Sequence, residues 1–256
     1  FNGFSHQLFV EQKSFTPYAP LPSQDIVPSG QIQSTEVGID FRFAYKEEFV
    51  EGNYYRTSLG TKYPIVHLFL SQGLKNNFGG DYSYSKLRFS VSDYLKLATY
   101  GSLYYNVFAG KTFGTLPYPL LEIHPGNEFF YYNTRAFNMM YRYEYISDQY
   151  IGFNMEHSMG SLFFKYIPYV NKMKIRTFWN AKGVYGGLSS ANAQLNLNCG
   201  YTFNILRNPY LEVGTGLENI LKVLCVDFVW RVLPMPSQDV SLASRFGIFG
   251  SMKFSF

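Results

Sequence analysis

The sequence predicts an all-β protein, and more specifically an antiparallel transmembrane β-barrel with about ten to twelve strands in this chain. Apolar and polar residues alternate with a period of two, the alternating runs are long, and their polar faces carry few charges. These runs span about ten to thirteen residues, whereas a globular strand averages about five or six and a tilted membrane-crossing strand needs about nine to eleven. Run length therefore favours strands that cross a bilayer.

Composition excludes several other classes of protein. The chain has 256 residues, of which 20% are aromatic and 16% charged, against about 25% charged residues in an ordinary domain. So little charge with so many rings is not typical of a disordered or nucleic-acid-coating chain, and a net charge of +4 implies no polyanionic partner. No run of about 18 apolar residues is present, which excludes a transmembrane helix. A soluble, aromatic-rich all-β protein and a membrane β-barrel remain.

The alternation is clearest at the end of the chain. Phe246 and Ile248 fall on one face of the run 245–256, and Ser251 and Lys253 fall on the other. Two less regular runs cover 150–166 and 195–205. The same reasoning predicts strands over 4–11, 36–46, 66–70, 86–91, 102–110, 137–146, 172–182, 210–218 and 222–233.

The connections also suggest a membrane barrel, which has short periplasmic turns and long outer loops. The short connections are 147–148 and 219–221, and the long ones are 111–134, 185–208 and 234–243. With the C-terminus on the periplasmic side, every long connection lies outside. This order requires 149–166 to form a hairpin followed by a further strand, and 195–205 to be an ordered part of an outer loop.

Backbone energetics require the barrel to close, because an unpaired N–H or C=O group in hydrocarbon costs several kcal/mol. We therefore expect residues 1–256 to be one outer-membrane β-barrel domain. The chain begins almost directly in a strand, and we expect it to be the C-terminal part of a longer chain.

Five segments carry a family resemblance: 114–127, 134–138, 209–220, 226–231 and 246–256. Together they resemble the barrel of a family of uncharacterised bacterial outer-membrane proteins, whose longer members place a carboxypeptidase-regulatory-like domain ahead of it. That barrel in turn resembles the BamA/TamA surface-antigen superfamily, which inserts or exports outer-membrane proteins. The superfamily's barrel implies about sixteen strands, an even number as bacterial barrels have, so that about six would precede this chain.

The resemblance implies a functional loop. The superfamily folds a long loop into the lumen, tipped by a Val-Arg-Gly-Phe-type motif, and the segment 111–134 followed by Thr134-Arg135-Ala136-Phe137 occupies the comparable place. Arg135 would be the lumen arginine, although Ala136 replaces the glycine, and a solvated arginine at the loop end is the alternative. A desolvated guanidinium needs a carboxylate partner. The remaining implied residues are His124, Pro125, Gly126 and Asn127 in the loop and Glu144, Glu212 and Asp227 as lumen carboxylates.

The resemblance also implies a signal for the assembly machinery. Phe254 and Phe256 give the chain an aromatic ending of the kind that this machinery reads, although Gly250 is one place off the usual glycine. The run 129–132, Phe-Phe-Tyr-Tyr, could belong to an aromatic girdle at the lipid–water interface or could form a partner-binding loop.

The residues give little sign of covalent chemistry. The four histidines lack metal-ligand spacing, and Cys199 and Cys225 fall on opposite faces of their runs, so we expect no catalytic residue, metal, cofactor or disulfide. A barrel enzyme would need clustered Ser, His and Asp or Asn near the outer rim. His157 and Ser158 are the candidates, but neighbouring strand residues point to opposite faces.

Three hypotheses follow for a protein in the outer membrane of a Gram-negative bacterium. The first is an assembly, insertion or export factor, or an accessory subunit of such a complex, that works by gating and without covalent steps. The second is a passive pore or structural barrel, and the third is the rim enzyme. The expected partners are the lipid bilayer and other outer-membrane proteins or lipoproteins, with no nucleic acid and no small-molecule cofactor.

Overall fold

The computed structural model describes residues 3–16, 31–76, 79–160, 162, 164, 166–167, 173–196, 204–206, 208–234 and 245–252. One α-helix, α1 (Ser190–Asn196), and two 3₁₀ turns, Ala98–Tyr100 and Tyr118–Leu120, accompany fifteen strands in these ranges. The strands are β1 (Phe4–Phe15), β2 (Ile32–Ala44), β3 (Glu48–Glu51), β4 (Arg56–Gly60), β5 (Ile65–Gly73), β6 (Tyr84–Lys96), β7 (Ser102–Phe113), β8 (Glu122–Ile123), β9 (Tyr145–Ser147), β10 (Gln149–Gly160), β11 (Arg176–Gly187), β12 (Asn204–Ile205), β13 (Tyr210–Ile220), β14 (Leu224–Leu233) and β15 (Phe246–Met252).

Ten of these strands form one sheet in the order β1-β2-β5-β6-β7-β10-β11-β13-β14-β15. Every neighbouring pair is antiparallel, and the order follows the chain except for the short strands that the sheet leaves out. The prediction of an all-β fold with a large antiparallel sheet is therefore confirmed. β1 and β15 are the terminal strands of the sheet, which the described residues do not close into a barrel.

The outer face of this sheet, defined by Leu8, Leu70, Phe89, Ile151 and Trp230, is apolar and exposed. Leu8 is 74% exposed and Ile151 is 54% exposed, and the other three residues lie between 38% and 44%. The strand registers align such side chains into rows across the sheet because alternate residues of every strand share a face. One row runs His6, Phe41, Leu68, Phe89, Ala109, Ile151 and Tyr185.

The inner face carries the polar residues and the packed core. Residues 114–148, here called the inner loop, connect β7 to β10 and lie against this face. Three buried clusters join the two parts, and each combines residues of the inner loop with inward-facing strand residues. Their main members are Ile32, Tyr84, Leu116 and Ile146; Phe137, Met140, Val184 and Tyr210; and Tyr132, Met139, Val229 and Phe249.

Two strand predictions differ from the structure. The run 137–146 is a succession of turns and only its end, at Tyr145, enters β9. Met139 and Met140 are both buried although they are adjacent, which a half-exposed strand would not allow. The segment 149–166 contains no hairpin in its described residues, since β10 crosses the sheet as one strand between β7 and β11. The segment 195–205 enters α1 and β12, and its residues 197–203 lie outside the described ranges.

Several long connections leave the sheet at one end, whereas the connection after β2, which contains β3 and β4, leaves it at the other. Because every neighbouring pair is antiparallel, the segments after β1, β5, β7, β11 and β14 emerge on the same side, and these include the inner loop. The tight turn at residues 221–223 lies at the opposite end, with Leu221 and Lys222 at positive φ. No helix in the described part of the chain is long and apolar enough to cross a membrane.

Candidate functional site: the inner loop and its anchors

The centre of the inner loop is held by two oppositely charged side chains of adjacent strands. Lys182 of β11 and Glu212 of β13 are register partners on the inner face, and they are 3% and 0% exposed. The Lys182 ammonium donates to the carbonyl oxygens of Asn133 (2.8 Å) and Ala136 (2.6 Å). The sheet therefore neutralises this buried charge pair and binds the loop with the same two groups.

Glu212 provides the other half of this clamp. Its carboxylate accepts hydrogen bonds from the backbone N–H groups of Asn138 (2.9 Å) and Met139 (3.0 Å) and from the Tyr210 hydroxyl (3.0 Å). Hydrogen bonds with an ionised acceptor are about twice as strong as neutral ones. Lys182 therefore binds carbonyl groups and Glu212 binds amide groups of a single short segment, 133–139, which fixes that segment in position and direction.

An ion pair lies nearer the end of the inner loop. The Arg231 guanidinium donates to Glu144 at 2.7 Å and to the Tyr145 hydroxyl at 2.9 Å. The two charged side chains are only 9% and 11% exposed. A planar guanidinium suits this geometry because it can serve two oxygen acceptors at once.

Asparagine side chains organise the loop internally. The Asn127 amide donates to the Tyr131 carbonyl (2.8 Å) and to Asn138 Oδ1 (2.8 Å), and Asn138 Oδ1 also accepts the Asn133 N–H (2.8 Å). The Asn138 amide donates back to the Asn133 carbonyl at 3.0 Å. These bonds supply the partners that a strand ladder would otherwise give, so the segment is ordered without being regular.

Gly126 marks the closest backbone approach in the loop. A Cβ atom there would lie 2.3 Å from the Tyr141 carbonyl oxygen and 2.6 Å from that of Met140. Gly126 also forms an isolated parallel bridge with Phe137, whose N–H donates to the Pro125 carbonyl at 2.8 Å. The superfamily motif has a glycine at position 136, where a tight backbone approach is expected, but in this structure the tight approach lies at Gly126. Ala136 is buried, and its carbonyl is bound by Lys182.

His124 is buried between the inner loop and β10. Its Nε2 atom lies 2.7 Å from the Ser147 hydroxyl, and the Tyr150 ring meets it edge to face at 5.3 Å between centroids. Burial lowers the pKa of His124 to about 4, because the charged imidazolium loses its hydration. Burial also raises the pKa of the nearby Glu122 carboxyl. Burial therefore shifts the pKa of each group in the direction that favours its neutral form.

Helix α1 joins the two ends of the inner loop. The Asn192 side chain accepts the Leu116 N–H (2.8 Å) and donates to the Gly114 carbonyl (3.1 Å) and to the Asp148 carboxylate (2.9 Å). Asn196 donates to the Leu116 carbonyl at 2.9 Å. These contacts bind helix α1, which follows β11, to the inner loop, which follows β7. Both segments emerge at the same end of the sheet.

The structure brings together most of the loop residues that the sequence singles out, but it does not pair Arg135 as expected. Arg135 is exposed and lines a cavity of about 630 Å³ beside Tyr104 and Asn106. Among the described residues no ion pair joins it to Glu144, Glu212 or Asp227. The carboxylates instead meet Arg231, the loop amides, and the Ser251 hydroxyl, which donates to Asp227 at 3.3 Å.

In the sequence, Lys182 and Arg231 fall within predicted strands without an assigned role, and neither Asn138 nor Asn192 was given one. The available signal for Lys182 was a cation that faces inward beside an acidic residue of the neighbouring strand. Recognising this signal requires knowledge of the strand register. Phe254 and Phe256, the candidate assembly signal, lie outside the described residues, as does Cys199. Within the described ranges no group of three or more His, Cys, Asp or Glu residues could hold a metal ion.

The candidate rim pair is engaged elsewhere. His157 accepts a hydrogen bond at Nδ1 from the Trp179 indole (2.8 Å), and its Nε2 lies 2.9 Å from the Tyr100 carbonyl. Ser158 donates its hydroxyl to Glu218 at 3.0 Å. Both ring nitrogens of His157 are thus occupied, and the serine does not contact it through a hydrogen bond.

Comparison with known proteins agrees with this architecture. The crystal structure of BamA from Haemophilus ducreyi lacking POTRA domains 1–3 is similar to this chain, with a TM-score of 0.57 at 12% sequence identity. The alignment covers 99% of this chain and 52% of that one, so this chain spans about half the length of the solved chain. A search of curated proteins found no match. Residues 1–189 match the family of unknown function DUF5686, C-terminal domain, and the chain belongs to this family.

Proposed function

We propose that this chain forms the membrane-embedded barrel of an outer-membrane protein in a Gram-negative bacterium. The observation that carries the proposal is the outer face, where Leu8, Phe89, Ile151 and Ile248 expose apolar side chains on strands from one edge of the sheet to the other. An exposed apolar surface of this extent is unfavourable in water, whereas lipid chains match it. The core lies on the opposite face, which leaves no second sheet to cover these residues among the described ones.

We further propose that the protein acts as an assembly, insertion or export factor or as an accessory subunit of such a complex. The support is the BamA-like fold together with a long loop that is bound to the inner face by Lys182 and Glu212. Its mechanism would be a movement of this loop or of a weakly paired strand seam, which lets a client strand pass without a covalent step. Its partners would be the bilayer and outer-membrane proteins or lipoproteins.

Depletion in cells tests this role. If the chain is an assembly factor, its loss should lower the levels of correctly folded outer-membrane proteins or surface lipoproteins, measured by heat-modifiable mobility and surface labelling. A Glu212→Gln variant should reproduce part of the defect because it weakens the loop anchor, and Ser90→Ala on the uncovered part of the inner face should not. Normal levels of both client classes after depletion would contradict the assembly role.

A passive pore is the second candidate, and the uncovered part of the inner face favours it. Asp40, Lys86 and Arg88 there line an open cavity of about 560 Å³. A pore would conduct ions in planar bilayers, and its depletion would leave client levels unchanged. Conductance with normal client assembly would therefore select this function over the first.

A further inference from the structure

The inner loop reaches the edge of the sheet and pairs with its last strand. β15 is a terminal strand of the described sheet, so one row of its backbone groups has no partner strand. Tyr131 forms an isolated parallel bridge with Gly250 at this edge. The Tyr132 N–H donates to the Gly250 carbonyl (3.1 Å), and the Gly250 N–H donates to the Phe130 carbonyl (3.0 Å). The backbone N–H and C=O groups of Gly250, which face the edge, are therefore both hydrogen-bonded to the loop.

This contact is prepared by the surrounding structure. Tyr132 is buried with Met139, Val229 and Phe249, so the loop is fixed immediately beside the bridge. The Asn127 side chain binds the Tyr131 carbonyl, which points away from the strand and would otherwise be free to turn. A Cβ atom at Gly250 would meet nothing within 4 Å, so a side chain there would lie free on the outer face of the sheet.

The segment that forms the bridge is short and incompletely packed. Phe130 is 83% exposed, and Phe129 and Tyr131 are about half exposed with their rings stacked at 5.2 Å between centroids. Two backbone hydrogen bonds hold it to β15, whereas a full strand at the same edge would form bonds at every second residue of β15. An incoming strand would thus gain more backbone pairing than the loop loses.

We propose that segment 130–132 of the inner loop is a latch on the edge of β15, which an extended strand with alternating apolar residues displaces. The latch satisfies the edge of β15 until such a strand pairs there, and this prevents indiscriminate pairing with other chains. The inference deepens the proposed assembly function, on which it rests for the identity of the displacing strand. Its tests require no client assembly, so their outcome is separate from that of the depletion experiment.

Disulfide trapping tests the contact itself. In a Cys199→Ala/Cys225→Ala background, we expect Tyr131→Cys/Gly250→Cys to cross-link under mild oxidation, because directly bridged residues bring their Cα atoms within disulfide range. The matched pair Phe130→Cys/Gly250→Cys should cross-link about tenfold less, since neighbouring residues of an extended segment face opposite sides. Equal yields for the two pairs in folded protein would overturn the latch.

Competition tests the displacement. The probe is a synthetic peptide with the sequence of β1, Phe4–Phe15, which is the terminal strand at the other edge and carries Phe4, Leu8 and Val10 on one face. Adding it before oxidation should lower the cross-link yield more than about twofold at saturation, by mass action. The same peptide with Leu8→Pro and Glu11→Pro lacks the required donors and should have no effect. A yield that the β1 peptide leaves unchanged at every concentration would overturn the displacement.

Discussion

The two halves of the inner face use the same kinds of residue in different ways. Under the inner loop, Lys182 and Glu212 are fully buried and bind backbone groups of the loop. On the uncovered half, Glu11 and Lys13 pair at 2.7 Å with side chains that are 46% and 50% exposed, and Arg88 lies over the Phe69 ring at 4.0 Å. The difference shows that the loop, and not the strand sequence alone, determines whether an inward charge is an anchor or part of an open polar surface.

The largest expected effect in this comparison is that of Glu212→Gln. It removes the buried negative charge beside Lys182 on the neighbouring strand and one acceptor for the loop amides, and leaving a buried charge uncompensated in this way costs about 3–5 kcal/mol. We expect the free energy of unfolding in detergent to fall by this amount and residues 133–139 to become accessible to protease. Glu11→Gln on the uncovered half, where the pair with Lys13 is about half exposed, is the control and should cost at most about 1 kcal/mol. Similar losses for both variants would remove the distinction between the halves.

The second effect is a pH dependence confined to the covered half. The pKa of His124 is about 4 in the folded protein and 6.5 when exposed, so the released loop binds a proton more readily than the docked loop. Stability from His124 is therefore fully present above pH 6.5 and is lost as the pH falls towards 4, by at most about 3 kcal/mol.

Glu122 acts in the opposite sense, since its raised pKa makes the docked loop take up a proton first as the pH falls. The difference between the wild-type protein and His124→Asn isolates the histidine contribution. Protease protection of the loop should decline between pH 6.5 and 4 in the wild type and less steeply in the variant. Parallel pH profiles would contradict the assignment of this slope to His124.

The third effect concerns backbone approach. Gly126→Ala places a Cβ atom 2.3 Å from the Tyr141 carbonyl oxygen, so backbone must move, at a cost of about 1–3 kcal/mol. Gly187→Ala is the control, because its Cβ would lie 3.4 Å or more from a flexible glutamine side chain. Chemical unfolding midpoints should fall for the first variant and stay within error for the second. An unchanged midpoint for Gly126→Ala would show that the loop approaches less closely than described.

The smallest effect is expected for Arg135→Ala. The motif comparison predicts that this change loosens the loop, but Arg135 is exposed and forms no ion pair with a described carboxylate. Exposed substitutions of this kind usually change stability by less than about 0.5 kcal/mol. Loop protection should therefore match the wild type, whereas Arg231→Gln, which removes the Glu144 partner, should lower it. A loss for Arg135→Ala as large as for Arg231→Gln would restore the original expectation.

How far the sequence predicts the fold differs between the strands and the loop. The alternation in 36–46 and 222–233 identified β2 and β14 because one face of each strand is apolar along its length. The same signal misled at 137–146, where burial of both Met139 and Met140 depends on a surface made by β13, β14 and β15. Asn192 was missed because its partners Leu116 and Gly114 lie more than 70 residues away, and Asn138 because it meets Asn127 and Asn133 only in the irregular loop conformation.

The sequence alone determined the long antiparallel strands and the division of each strand into an apolar and a polar face, because these follow from a local period of two and from chain length. Only the tertiary structure decided that Arg231 and not Arg135 carries the ion pair of the loop, and that Lys182 and Glu212 hold its backbone. The physical reason is that an inward charge needs a partner, and which partner it meets depends on strand register and on the path of a distant loop.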